Sequence, residues 1–87
     1  MSERQATIRN ELGLHARPAA QFVRLAASFG ASIELERDGQ VVNGKSIMGV
    51  MMLAAECGAV VTVRAEGADA DRAVEALAAL VESGFGE

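Results

Sequence analysis

The stretch GLHARPAA, residues 13–20, holds the only histidine and the only proline of this 87-residue chain. His15 immediately precedes a run with helical periodicity, at the position of an N-cap, so the N–H groups of Ala16 and Arg17 have no intrahelical partner. The helix dipole adds partial positive charge there, and the Arg17 guanidinium offers donors suited to phosphate oxygens. The backbone of Ala16 and Arg17 is therefore a candidate anion site.

The imidazole of His15, placed beside an anion site, favours phosphoryl transfer. An unperturbed imidazole is mostly uncharged at neutral pH, so one ring nitrogen keeps a nucleophilic lone pair. We expect the helix end and Arg17 to disfavour the protonated ring further. A phosphoryl group transferred to that nitrogen would be received by the helix end and Arg17. The residues alone leave open that His15 is only a surface or capping residue.

Composition and charge argue against several other functions. A net charge of -4 and the absence of Trp and Tyr argue against binding to nucleic acid or an anionic membrane. One His and one distant Cys supply no zinc site, and we expect no metal and no cofactor. Cys57 has no partner for an internal disulfide, Met1–Thr7 lacks the apolar core of a signal peptide, and no apolar run is long enough for a membrane span. We therefore expect one cytoplasmic domain over residues 1–87.

Apolar periodicity predicts four strands and three helices. Ala6–Arg9 and Ser32–Arg37 alternate with period two, Gln40–Asn43 returns after the turn signal Asp38-Gly39, and Ala59–Ala65 is Val-rich. The first predicted helix follows His15 and ends at a left-handed cap at Gly30. The second runs from Lys45-Ser46 through about Ala55 with Gly58 closing, and the third from about Ala70 to Gly84. Helices with one apolar face each predict an α+β fold, with an antiparallel sheet covered on one side. The strand order stays open, because ferredoxin-like folds share the first six elements.

The second predicted helix carries more apolar residues than one face needs. Ser46 is its expected N-cap, while Val50, Leu53 and Ala54 can serve the core. The surplus residues are Ile47, Met48, Met51 and Met52. Such a surplus beside an anion site suggests a partner-docking surface, since Met adapts to several partners. The alternative is that one or more of the four fill the core.

Two motifs together resemble HPr, the histidine-containing phosphocarrier family of the bacterial phosphotransferase system. They are Gly13–Ala20, GLHARPAA, and Gly44–Met51, GKSIMGVM. The resemblance covers the chain from about Ala6 onward and implies an open-faced β-sandwich, with a four-stranded antiparallel sheet in order 1-4-2-3 and three helices on one face. It implies that His15 accepts a phosphoryl group from phosphorylated Enzyme I and passes it to IIA proteins, with Arg17 assisting. The chain would then be a carrier and not an enzyme.

The resemblance also implies regulation and a shared docking face. Ser46 lies in the sequence context that an HPr kinase/phosphorylase modifies using ATP, and a phosphate there would add about two negative charges. The family's docking face matches the four surplus apolar residues together with Ala16, Ala20, Gln21 and Arg24. Two positions depart from the family pattern, because Leu12 replaces a small polar residue and Ala27 replaces a basic one.

Three rival functions remain at this point. A nitrogen-branch carrier would regulate metabolism without moving sugar, although the intact Lys45-Ser46-Ile47 motif argues against that branch. A pure interaction module would bind a transcription regulator or a metabolic enzyme in a Ser46-dependent way. A ferredoxin-like sensor of small molecules would be a dimer, whereas the resemblance implies a monomer.

Overall fold

The computed structural model describes residues 1–87 and contains a four-stranded antiparallel sheet, three α-helices and one short 3-10 turn. The strands are β1 (Ser2–Thr7), β2 (Ser32–Arg37), β3 (Gln40–Asn43) and β4 (Val60–Glu66), in the sheet order β1-β4-β2-β3. The helices are α1 (Ala16–Ala27), α2 (Ile47–Met52) and α3 (Ala70–Glu82), and the 3-10 turn is Gly84–Gly86. This architecture confirms the expected α+β open-faced sandwich. No helix combines the length and the apolar character that crossing a bilayer requires.

One face of the sheet carries the core. On β4, Val61 and Val63 are fully buried while the residues between and beside them are exposed or half-buried. Leu35 of β2, Phe22 of α1 and Leu77 of α3 are also fully buried against this face. Because successive strand side chains point to opposite faces, the other face of the sheet remains open to solvent.

The predicted first strand was displaced along the chain. β1 spans Ser2–Thr7 instead of Ala6–Arg9, because the ladder with β4 extends back to Ser2, which lies opposite Ala65. Backbone pairing also continues past the strand, since Ile8 N–H donates to the Ala59 carbonyl at 2.8 Å. Polar residues fill the first half of β1, so the alternation was visible only at its end. The predicted β4 was shifted by one residue.

The first helix ends earlier than predicted. α1 stops at Ala27 with Ser28 as its C-cap, and Gly30 is not in the left-handed region. The Gly30 N–H instead donates to Asp69 Oδ2 at 2.9 Å, and the neighbouring Ala31 N–H donates to Oδ1 at 2.8 Å. These two hydrogen bonds, led by the one from Gly30, hold the pKa of Asp69 below its usual range. The Asp69 carboxylate, at the start of α3, thus holds the chain between α1 and β2, where a left-handed cap at Gly30 was predicted.

The second helix is shorter than predicted and ends at Met52 rather than about Ala55. The chain leaves it through Ala54, which has a φ of 49° and is exposed, so the expectation that Ala54 serves the core was wrong. Arg37 Nη1 donates to the Ala54 carbonyl at 3.1 Å, and this tertiary contact supports the turn. Gly58, the expected closing residue, lies in the loop before β4. The predicted start of α3 at Ala70 was confirmed, and Gly84, the predicted end, lies just after the helix with a φ of 74°.

Candidate functional site

The loop before α1 holds His15 in a fixed backbone position. Gly13 adopts a φ of +69°, and a Cβ built there would lie 2.2 Å from the Ala55 carbonyl oxygen, so only glycine fits. Leu14 is buried, and its N–H donates to the same oxygen at 2.9 Å. The next residue, His15, is the N-cap of α1 with an extended backbone, as predicted.

The first turn of α1 leaves two backbone donors free. The first intrahelical bond runs from the Ala19 N–H to the His15 carbonyl at 3.0 Å, and Pro18 has no N–H. No side chain caps this helix end. The N–H groups of Ala16 and Arg17 are therefore available to a ligand, in the geometry that the spacing predicted.

The His15 ring is bound through one nitrogen only. Its Nε2 lies 3.1 Å and 3.2 Å from the two carboxylate oxygens of Glu87, and the ring makes its hydrogen bonds through this atom. The hydrogen bond from His15, followed by one from Asn10, holds the pKa of Glu87 below its usual range. A negative charge therefore lies beside Nε2 of the ring.

Asn10 links the loop to the Glu87 carboxylate. Its Nδ2 donates to the Gly13 carbonyl at 2.7 Å and to Glu87 Oε1 at 3.2 Å. Asn10 is 4% exposed, and its Oδ1 is buried without a hydrogen-bond partner in the protein. The buried Asn10 amide group therefore donates hydrogen bonds both to the loop and to the carboxylate that contacts His15.

The cations of the chain differ in their availability. Arg9, Arg37 and Arg64 make ion pairs, whereas the exposed Arg17 makes none. Lys45 is not free in the same way, because its Nζ donates to the Phe29 carbonyl at 2.9 Å. No three metal-ligating side chains lie together. The group that can meet an anion beside His15 is Arg17.

Ser46 caps α2 as predicted. Its Oγ accepts a hydrogen bond from the Gly49 N–H at 3.1 Å, and its carbonyl accepts one from Val50 N–H at 3.0 Å. Ser46 is half-buried. Its hydroxyl group is occupied by the helix, in contrast to the His15 ring.

The surplus apolar residues of α2 all face solvent. Met48 is 71% exposed, Met52 65%, Ile47 44% and Met51 37%, so the alternative that one of them fills the core was wrong. Helices α1 and α2 pack against each other. On α1, the other predicted docking residues are exposed (Ala16, Arg24) or half-buried (Ala20, Gln21). Leu12 is 73% exposed and adds to the apolar surface, and Ala27 is exposed without a charge.

Sequence reasoning missed Asn10 and Glu87. No role was predicted for Asn10, and its contact with Glu87 joins residues more than seventy positions apart. Glu87 follows the last predicted helix with no local signal of its role. Only the folded chain brings these two residues to His15.

Known proteins resemble this chain in both sequence and fold. The family profile described as PTS HPr component phosphorylation site matches residues 2–83. The phosphocarrier protein HPr of Cupriavidus necator is 48% identical over 87 residues, covering 100% of this chain and 98% of that protein. The crystal structure of HPr-C-His from Thermoanaerobacter tengcongensis has a TM-score of 0.95 at 50% identity, covering 100% of this chain and 98% of that one.

A third relative has a regulatory description. The crystal structure of Crh, described as the catabolite repression containing protein of Bacillus subtilis, has a TM-score of 0.78 at 46% identity and covers 97% of both chains. That structure is described as a dimer with a swapped domain. The family profile, the full-length relatives and the shared fold lead to one conclusion: the chain belongs to the HPr phosphocarrier family of the phosphotransferase system.

Proposed function

We propose that this chain takes a phosphoryl group from phosphorylated Enzyme I onto Nδ1 of His15 and passes it to IIA proteins. The observation that carries the proposal is the division of roles at His15, whose Nε2 contacts Glu87 while Nδ1 makes no hydrogen bond to the protein. The Nδ1 lone pair forms the bond to phosphorus as the bond between phosphorus and the donor breaks, and that electron pair returns to the donor. Nothing in this step requires turnover, so the protein is a carrier and a substrate.

The incoming phosphoryl group is received by the start of α1. The free N–H groups of Ala16 and Arg17 and the Arg17 guanidinium supply donors for its oxygens. The same face presents the exposed docking residues of α1 and α2 to Enzyme I and to IIA proteins. We place this chemistry in the cytoplasm of a bacterium, carried out by one domain over residues 1–87, and expect a monomer, although the related Crh structure is a dimer.

The direct experiment is intact mass spectrometry after incubation with phosphoenolpyruvate and Enzyme I. The native chain is expected to gain one acid-labile phosphoryl group, and His15→Ala is expected to gain none. Absence of the adduct, with an Enzyme I preparation active on another HPr, would rule out the carrier function.

Regulation through Ser46 is the second part of the proposal. An HPr kinase/phosphorylase would phosphorylate the Ser46 hydroxyl with ATP, and the added charge would lie among the apolar docking residues. The resemblance to Crh, which is described as a catabolite repression protein, favours a regulatory role either beside phosphate transfer or in its place. Binding of a transcription regulator through the docking residues would be one form of that role. A nitrogen-branch carrier is the alternative, distinguished by which Enzyme I phosphorylates the chain.

A further inference from the structure

The orientation of the Asn10 amide is determined by its neighbours. Nδ2 faces two acceptors, the Gly13 carbonyl at 2.7 Å and Glu87 Oε1 at 3.2 Å. Turning the amide over would aim Oδ1 at both of these oxygens and lose both hydrogen bonds. The Oδ1 atom is left buried without a protein partner, a disposition that native structures seldom keep without a reason. The donors of this side chain are therefore directed at the loop and at Glu87.

The position of the Glu87 carboxylate determines where the His15 proton lies. An ionised carboxylate only accepts hydrogen bonds, so a nitrogen 3.1 Å from it must carry the hydrogen. The lowered pKa of Glu87 keeps the group ionised at neutral pH. In a neutral ring the second nitrogen, Nδ1, then bears the lone pair.

The turn after α3 anchors this carboxylate. Phe85 is 4% exposed, with a φ of 60°, and belongs to the hydrophobic core. The Glu87 N–H donates to the Gly84 carbonyl at 3.1 Å and closes the turn. Glu87 is thus held from its own backbone, and Asn10 fixes its side chain.

We propose that Asn10 and Glu87 are positioning residues, in which Asn10 holds the Glu87 carboxylate against Nε2 and thereby fixes the His15 tautomer with a free Nδ1. The inference rests on the proposed function of His15 and deepens it. When Nδ1 binds phosphorus while Nε2 keeps its hydrogen, the ring becomes positively charged. The carboxylate balances that charge, as carboxylates do for histidines in nucleophilic sites on other folds.

The test uses nitrogen-15 NMR of the imidazole ring together with the initial rate of phosphoryl uptake from Enzyme I. At a pH of about 8.5, two units above the usual histidine pKa, nearly all native rings are expected to be the neutral tautomer that carries its hydrogen on Nε2. In Glu87→Gln it is expected to be a mixture, because a carboxamide both donates and accepts. The uptake rate is expected to fall about fivefold, as for loss of a half-exposed ion pair. The matched control is Glu82→Gln, which removes a carboxylate of α3 that contacts Thr7 and Arg9 instead.

The role of Asn10 is tested in two ways, by the variant Asn10→Ala and by the side-chain amide NMR signals of the native residue. Asn10→Ala is expected to shift the tautomer in the same direction and to have less effect in the Glu87→Gln background than alone. If that variant does not fold, the side-chain amide signals of native Asn10 test the same contact, since they are expected to move as Glu87 titrates and to stay still in Glu87→Gln.

Three results would overturn the inference. The first is a native ring that populates both tautomers, and the second is a Glu87→Gln ring that keeps the native tautomer. The third is an Asn10 amide that does not respond to Glu87. Because the tautomer is measured without Enzyme I, failure of this inference is distinguishable from failure of His15 to take a phosphoryl group.

Discussion

His15 and Ser46 both occupy the N-cap position of a helix, but their side chains act differently there. Both residues are N-caps with extended backbones. Ser46 turns its hydroxyl onto its own helix, where it accepts from Gly49 N–H at 3.1 Å. His15 makes no such bond, because its ring is directed to Glu87. A cap that satisfies its helix stabilises the fold, whereas a cap directed away from its helix leaves amides free for a ligand.

The surroundings of the two caps reinforce this difference. Beside Ser46, the Lys45 N–H donates to Asn43 Oδ1 at 2.9 Å and the Lys45 Nζ donates to the Phe29 carbonyl, so the local donors are engaged. Beside His15, the Arg17 guanidinium and two backbone amides are free. The short α2 also supplies a weaker dipole than α1, since fewer peptide units align. Free donors are therefore available to an anion at His15, whereas the Ser46 hydroxyl is already bound by its own helix.

The largest expected effect is that each of the two sites, His15 and Ser46, takes a phosphoryl group from a different donor protein. His15→Ala should lose all phosphate uptake from Enzyme I while Ser46→Ala keeps it, because only the imidazole supplies a nucleophile to that donor. With an HPr kinase and ATP, His15→Ala should still be phosphorylated, whereas Ser46→Ala should not. Mass spectrometry of all four combinations measures this, and uptake by His15→Ala from Enzyme I would contradict the comparison.

Arg17→Ala should slow phosphoryl uptake roughly 10- to 100-fold, the range expected for hydrogen bonds of about 1.5–3 kcal/mol to a charged group. Kinase modification of Ser46 should change far less in this variant. Rapid-quench kinetics with Enzyme I gives the rate, and Arg72→Ala, which removes an exposed arginine of α3, is the matched control. Equal slowing by both variants would point to net charge and not to a local contact.

Ser46→Asp should reduce phosphoryl uptake about fivefold, an effect of about 1 kcal/mol from one charge on the docking face, whereas Ser46→Ala should be near native. The reduction should shrink at high salt because the added charge is screened. Titration of Enzyme I at two ionic strengths tests this. Ser32→Asp is the control, since it adds the same charge to β2 at an exposed position, and an equal effect there would refute a docking mechanism.

For the stability of the fold, Ser46 should matter more than His15, the reverse of their order in phosphoryl uptake. Ser46→Ala loses the hydrogen bond to Gly49 and should cost about 1 kcal/mol, which lowers Tm by roughly 4–8 °C in a domain of this size. His15→Ala breaks no cap and should cost less than Ser46→Ala, because a half-exposed ion pair contributes little to stability. Urea unfolding of both variants measures the difference. A larger loss for His15→Ala would mean that the His15–Glu87 contact is structural.

The smallest expected effect is a pH dependence at the His15 end only. The folded pKa of Glu87 lies below its unfolded value, so its contribution to stability is present above the unfolded pKa of roughly 4.3. That contribution disappears as pH falls through the folded pKa. The Tm difference between the native chain and Glu87→Gln should therefore vanish in acid, whereas the difference for Ser46→Ala should not. Thermal melts across this pH range test both.

Much of the fold could be predicted because its signals are local. The hairpin between β2 and β3 follows from alternation around Asp38-Gly39, and both strand bounds were confirmed. The boundaries that failed depend on tertiary partners. Ala54 is left-handed where Arg37 binds its carbonyl, and Gly30 binds Asp69 instead of capping α1.

The sequence by itself determined that a lone imidazole precedes a helix with two unpaired amides and an arginine. Those features depend only on neighbouring residues and on the missing N–H of Pro18. The tertiary structure alone decided which ring nitrogen is occupied. Glu87 and Asn10 reach His15 only after α3 packs on the sheet and Phe85 enters the core. The reason is physical: a hydrogen bond needs its atoms within about 3 Å, and for distant residues only the packed core supplies that proximity.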